Sequence, residues 1–139
     1  MIITKQLNFK SKGHCDIIDI TNEVEKEISN IAEINSGIIT IFVPGATGGL
    51  TTVEYEPGLI KDLPELFEKL IPSNKSYHHD MTWHDGNGHS HLRASLLGPS
   101  ITVPFVNKSL TLGTWQQIIF IDFDNKPRNR NLVLQIMGE

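Results

Sequence analysis

The residues best able to do chemistry crowd into one stretch, His78-His79-Asp80-Met81-Thr82-Trp83-His84-Asp85-Gly86-Asn87-Gly88-His89-Ser90-His91, which holds five of the chain's six histidines. Imidazole is the commonest protein ligand for transition metals and the usual proton carrier near neutral pH. Clustered imidazoles repel one another as cations, so this density points to a bound metal or anion rather than a bare loop. Residues 90–97 alternate polar and apolar side chains and predict a strand. That strand would place His89, His91, Arg93 and Ser95 on one face and Leu92, Ala94 and Leu96 on a core face. His89 and His91 would then aim at one point, joined by His79 or His84 in a three-nitrogen zinc site whose fourth position stays open.

Carboxylates accompany the histidines. Asp80 could orient a ligating imidazole or act as a general base, and Glu54 and Glu56 lie further off. Asp85-Gly86-Asn87-Gly88 reads as a tight turn, which makes Asp85 a turn residue. Pro44-Gly45-Ala46-Thr47-Gly48-Gly49 could offer successive backbone N–H groups to an anion. It lacks both the P-loop ending and the dinucleotide-fold spacing, so as a motif it reads as an ordinary loop. Arg128 and Arg130 could hold a phosphate, and together with Thr47 they form the candidate cofactor-binding set.

These groups need a scaffold, and the pattern supplies one. Strands are predicted over 2–9, 15–20, 38–43, 50–55, 90–97, 100–106, 114–122 and 131–137, with short turn signals between most of the later ones. Consecutive strands joined by short turns pair antiparallel. One helix is expected from Thr21 as N-cap, with Val24, Ile28, Ile31 and Ala32 inward. A second is expected over 58–71, with Leu59, Leu63, Leu66, Phe67 and Leu70 as its buried stripe and a kink or restart near Pro64. The fold class is therefore α+β: a mainly antiparallel, sandwich-like sheet with two helices, in a single domain over 1–139. Trp115 would share a face with Ile119 and Ile121 in the core, and Cys15 would be a small buried residue.

Composition narrows the options. A net charge of −4 argues against a nucleic-acid partner, which needs a basic face. The longest apolar run, 38–43, is far too short to span a bilayer, so no membrane partner is expected. With one cysteine and no signal-peptide pattern at the N-terminus, a cytoplasmic location is the expectation.

His79-Asp80, Ser90-His91-Leu92 with Ser95-Leu96-Leu97-Gly98, Gly113-Thr114-Trp115-Gln116 and Gln135-Ile136-Met137-Gly138-Glu139 together resemble the YjbQ-like family, and the likeness runs nearly end to end. The resemblance implies a compact α+β subunit, a homotrimer, and a histidine-lined pocket near subunit contacts that takes a metal ion or an oxyanion. It also implies weak thiamine-phosphate synthase activity. Many members carry a His-Thr-Ser-Ala-type motif after the third strand; here its histidine position is Gly45, while Glu54 matches the glutamate downstream.

Two functions compete. In the first, an enzyme holds a divalent metal, zinc by preference, on His79, His89 and His91. Arg93 and Arg128 would contact substrate phosphates, and Glu54 or Asp80 would handle protons. In the second, a non-catalytic module binds a small phosphorylated metabolite with the same arginines and loop amides.

Overall fold

A computed structural model describes residues 1–139. Twelve elements follow in order: β1 (Ile2–Ser11), β2 (Asp16–Asp19), α1 (Thr21–Ser29), β3 (Gly37–Phe42), β4 (Gly48–Val53), α2 (Pro57–Leu70), α3 (His78–Trp83), α4 (Gly88–Leu97), β5 (Ser100–Val106), β6 (Ser109–Leu110), β7 (Gln117–Asp122) and β8 (Arg128–Gly138). The strands form two antiparallel sheets, a five-stranded one ordered β1-β8-β3-β5-β6 and a three-stranded one ordered β2-β7-β4. No helix is long and apolar enough to cross a membrane.

The strand period explains the layering. Alternate residues of the large sheet, among them Ile39, Ile41, Val103, Phe105, Leu132, Leu134 and Ile136, turn inward against Ile118 and Phe120 of β7. The intervening residues of β7, Ile119 and Ile121, face the other way into a second core with Phe67 of α2 and Ala94 of α4. β7 is thus buried on both faces, which is why Gln117-Ile118-Ile119-Phe120-Ile121-Asp122 is a nearly continuous apolar run. Val24 and Ile28 of α1 pack into the first core. The molecule stacks large sheet, small sheet and helices, with a core in each gap.

Several expectations need correction. The α+β class and the antiparallel sheets hold, but there are four helices rather than two, and of the strands consecutive in the chain only β5 and β6 pair with each other. The additional pair, α3 and α4, is the histidine stretch itself, and residues 90–97 are helical rather than extended. Their polarity misleads because α4 is inside out: His89, Ser90, Arg93 and Ala94 are buried, while Leu92 and Leu96 are exposed. The buried residues recur at i, i+1, i+4 and i+5, a helical period, but most are polar. A strand pattern read from the apolar residues therefore follows the solvent face.

Smaller differences have similar causes. Trp115 precedes β7 and is 72% exposed, outside the core face it would have joined in a longer strand. In α2 only Phe67 is fully buried, Leu66 and Leu70 face solvent, and the helix runs on through Pro64. Thr21 is not the N-cap of α1. Its hydroxyl donates to Asp19 Oδ1 and accepts from the Ile118 amide, tying α1 to β2 and β7. In β3, Ile39 and Ile41 are buried as a core strand requires, but Ile38 and Phe42 face out. Cys15 is buried, as expected.

Candidate functional site

The site is built where α3 and α4 meet the end of β7. Asp80 fixes their junction: its Oδ2 accepts the Tyr77 amide at 3.0 Å and its Oδ1 accepts the Gly88 amide at 2.8 Å. One carboxylate thus caps α3 and holds the first residue of α4. A Cβ on Gly88 would lie 2.8 Å from Tyr77 Cβ and 3.0 Å from Asp80 Oδ1, so the close approach of the two helices requires glycine there. Ser90 is fully buried and donates to the Phe123 carbonyl, while Asn125 Nδ2 donates to the Asp85 carbonyl at 2.7 Å. These bonds dock the histidine stretch onto the turn that follows β7.

Three potential ligand atoms converge there. His79 Nδ1 lies 3.7 Å from Asp85 Oδ1 and 4.0 Å from Asp80 Oδ1, and one donor atom from each residue falls within 4.8 Å of the others. His79 Nδ1 is buried and has no hydrogen-bond partner. Such an atom costs about 1–3 kcal/mol unless something outside the chain satisfies it. The His91 ring lies against His79 with centroids 4.1 Å apart. With the Asn87 amide oriented to donate, Asp85 accepts from it at 2.8 and 3.1 Å.

Charge in the cluster is arranged for cation binding. The Tyr77 and Gly88 amides hold the Asp80 carboxyl below the usual aspartate range, so it is a carboxylate at neutral pH. Burial, and then the facing His79, push the His91 ring below the usual histidine value, which favours the neutral, ligating form. An imidazole nitrogen with two carboxylates is a donor set suited to a first-row divalent metal, and the orphaned His79 Nδ1 fits one.

The remaining candidates sit elsewhere. His89 is 7% exposed on α4, and on a helix residues i and i+2 are separated by about 200°, so it does not share the direction of His91. Burial, then the nearby Arg93 guanidinium, lower its pKa. The neutral ring therefore contributes stability above the unfolded value of about 6.5, and this is lost as pH falls through the lower folded value. In chelator-treated protein the thermal midpoint should decline as pH drops from about 6.5 to about 5, and His89→Gln should flatten that decline in differential scanning fluorimetry. An unchanged slope would assign the decline to other groups.

Arg93 is 4% exposed and spends its donors on the end of α2. Its Nε and Nη2 donate to the Ile71 carbonyl at 3.0 and 2.8 Å, and Nη2 also reaches Glu68 Oε2 at 3.1 Å. Glu68 is held down to about 2 chiefly by the Ser73 amide and hydroxyl, with Arg93 adding to them. Arg93→Ala should cost about 3 kcal/mol by leaving these acceptors without their donor. The midpoint should fall by about 10 °C in a calorimeter; a fall of only a degree or two would show that Arg93 is free for a ligand. Glu54 stands exposed just after β4, outside the cluster.

Arg128, Arg130 and Thr47 belong to a neighbouring buried network. Arg130 Nε and Nη2 donate to Asp122 Oδ2 and Oδ1 at 2.6 and 2.7 Å, and Nη2 also donates to Thr47 Oγ1 at 2.8 Å. Thr47 Oγ1 and Arg128 Nε donate to Asp124 Oδ2 at 3.0 and 2.9 Å. Burial pushes the Asp124 carboxyl up, but the Asn125 amide, Arg128 and Thr47 outweigh it and hold it low. Sequence reasoning missed this aspartate pair and treated Asp85 as a turn residue. The available signal was acidic residues ending an apolar run, Ile121-Asp122-Phe123-Asp124, followed by Arg128 and Arg130.

Relatives share this arrangement of chain. A family model described as UPF0047 protein YjbQ-like matches residues 5–139. A UPF0047 protein of Archaeoglobus fulgidus is 39% identical over 132 residues, covering 95% of this chain and 99% of that protein. The UPF0047 protein YugU of Bacillus subtilis is 36% identical over 136 residues, covering 96% and 98%. Among solved structures, a YbjQ-like protein of unknown function from Sulfolobus solfataricus superposes with a TM-score of 0.88 at 28% identity over the whole of both chains. An uncharacterized conserved protein of the yjbq/upf0047 family from Clostridium acetobutylicum gives 0.86 at 33% identity, covering 96% and 99%. With a family model spanning nearly the whole chain and relatives of matching length, the chain belongs to the YjbQ-like, UPF0047 family.

Proposed function

We propose that this protein is a small metal-dependent enzyme acting on a phosphorylated metabolite, with a divalent metal, zinc by preference, held by His79, Asp80 and Asp85 and flanked by His91. One observation carries the reading: a buried, unpartnered imidazole nitrogen faces two carboxylates, with one donor atom from each residue within 4.8 Å of the others. A metal bound there would serve as a Lewis acid toward a substrate phosphate oxygen. Asp80 stays ionised and orients the helix junction, and Asp85 is open enough, at 45% side-chain exposure, to exchange a ligand or a proton with solvent. Thiamine-phosphate synthase activity, in which a thiazole phosphate displaces pyrophosphate from a pyrophosphate ester, is the reaction that the family resemblance brings to this site.

A second reading, a binding module without turnover, draws support from Glu54, a proton-handling candidate that stands outside the cluster. The outer face of the large sheet suits contact with another copy of the chain under either reading, and the family resemblance brings the expectation that this assembly is a homotrimer. Ile2, Ile38, Phe42, Val106 and Met137 are exposed on it beside Thr40 and Thr102, and faces of this kind usually meet another subunit.

The test is elemental analysis of untagged protein from native expression, followed by titration with zinc, manganese and cobalt and assay with phosphorylated substrates. Stoichiometric metal with metal-dependent turnover is the expected result. Ligand binding without turnover selects the second reading, and protein that takes up no metal defeats the first. Sedimentation in the same preparation reads the oligomer.

A further inference from the structure

The outer face of the β1–β8 ribbon changes character along its length. Leu132, Leu134 and Ile136 of β8 turn into the core, so the residues between them and their partners on β1 stand outward. At one end Ile2 faces Met137; at the other Asn8 faces Asn131 and Lys10 faces Asn129. Two adjoining hollows open at this polar end. One, of about 270 Å³, is lined by Lys10, Ser11, Pro127, Arg128 and Asn129. The other, of about 380 Å³, is lined by Asn8, Phe9, Lys10, Asn129, Arg130 and Asn131. They share Lys10 and Asn129, and no carboxylate and no histidine lines either of them.

The two hollows differ in chemistry. In the first, Lys10 takes part in none of the chain's ion pairs. Arg128 gives only its Nε to Asp124, and its side chain stays 38% exposed with both terminal nitrogens unused. Asp124 balances the Arg128 charge, so Lys10 supplies the net positive charge and Arg128 the directed donors, a pairing suited to phosphate. In a chain of net charge −4 this spot stands against the field of the whole molecule. The second hollow offers no free charge, because Arg130 is committed to Asp122 and Thr47. Its polar wall is made of asparagine amides, which both donate and accept and so suit hydroxyl groups. Asn131 Oδ1 is buried there without a hydrogen-bond partner, although Asn8 stands opposite. Such an oxygen calls for a donor from outside the chain.

We propose that the polar end of the β1–β8 ribbon is a second ligand site, for a hydroxyl-bearing phosphate ester of the sugar-phosphate class. Lys10 Nζ and the terminal nitrogens of Arg128 hold the phosphate, and the amides of Asn8, Asn129 and Asn131 take the hydroxyls, one of which donates to Asn131 Oδ1. The two hollows together are large enough for a ligand of that size. The site shares no residue with the cluster of His79, Asp80 and Asp85 and stands whether or not that cluster holds a metal.

The probes are glucose 6-phosphate, inorganic phosphate and glucose, each titrated into chelator-treated full-length protein and followed by amide NMR. Glucose 6-phosphate should bind at about 1 mM or tighter. It should shift the amides of residues 8–11 and 127–131, which line the two hollows. It should bind at least about fivefold more tightly than inorganic phosphate, the equivalent of one neutral hydrogen bond. Lys10→Gln should weaken both phosphates by about tenfold, as the loss of one charged hydrogen bond does. Asn131→Leu should bring the ester down to the affinity of inorganic phosphate and leave the latter as it was. Thermal midpoints check that both variants fold. Lys10 is exposed and unpaired, so Lys10→Gln serves if the leucine variant does not. Metal uptake, measured in parallel, reports on the acidic cluster independently. Shifts confined to His91 and the β3–β4 loop, an ester that binds no tighter than phosphate, or variants that bind as wild type does would overturn the proposal whatever the metal result.

Discussion

Asp122→Ala is expected to lower the thermal midpoint by about 10–20 °C, the largest stability loss of any single polar substitution in this chain. Asp122 is fully buried, and its carboxylate accepts from Arg130 Nε and Nη2, from Ser11 Oγ and from the Asp124 amide. Truncation takes the acceptor from these donors and leaves the Arg130 charge with Thr47 and the more distant Asp124 carboxylate, 4.0 Å away. Breaking one side of a buried ion pair typically costs about 3–5 kcal/mol, far more than the net worth of the intact pair. The damage should spread, because Arg130 also holds Thr47, and Thr47 is the point at which the β3–β4 loop is bonded to β7 through the Phe123 amide. Calorimetry on Asp122→Ala and on the double variant Asp122→Ala/Arg130→Met checks the argument. The double variant should recover part of the loss, since it removes the unpaired charge. A single variant within a few degrees of wild type, or a double variant that loses the sum of two independent effects, would mean that the pair does not carry the load assigned to it.

That network also marks the limit of what sequence patterning reveals. Strands β3 and β8 were legible because their inward residues, Ile39, Ile41, Leu132, Leu134 and Ile136, are apolar and alternate with period two. Short turns account for only one antiparallel pair, β5 with β6; the others join strands far apart in the chain, which no local signal announces. Asp122 and Asp124 gave no comparable signal, because their burial depends on Arg128 and Arg130 returning from the next strand, a tertiary fact. The helix α4 was misread for a related reason. Its inward residues His89, Ser90 and Arg93 are satisfied one by one, by a neutral ring environment, the Phe123 carbonyl and the end of α2, so no hydrophobic stripe announces the helix.

The candidate site was legible in composition and less so in geometry. Crowded histidines drew attention to residues 78–91, and of the residues singled out there His79 and Asp80 fall in the converging cluster. The inference that His89 and His91 share a direction used the strand period and does not transfer to a helix. Asp85 looked like ordinary turn chemistry because Asp-Gly-Asn-Gly is a good turn, and it is one: Gly86 sits at φ +67°. The turn is also what carries the Asp85 carboxylate to within 3.7 Å of His79 Nδ1, so a turn residue is at the same time a member of the cluster.

His79→Ala separates the metal reading from a merely structural one, because the two predict opposite signs in different conditions. Without metal, His79 Nδ1 is a buried atom with no partner, so removing the ring should cost little and could raise the midpoint slightly. With zinc at about a hundred times its dissociation constant, wild type should gain about 2.7 kcal/mol of stability, and the variant almost none. Loss of a ligating nitrogen should weaken zinc binding by at least about 100-fold, the upper end of what changes to groups hydrogen-bonded behind the ligands produce. Asp85→Asn, which keeps the shape but removes a charge, should fall between. Asp80→Asn is a poorer probe, since it also disturbs the bonds from Tyr77 and Gly88 that join α3 to α4. Fluorimetry of wild type and His79→Ala, each with chelator and with excess zinc, gives all four numbers. The metal centre stands if zinc stabilises only the wild type. It falls if zinc shifts neither protein, or shifts both alike, and His79 would then be a packing residue whose buried nitrogen the fold tolerates.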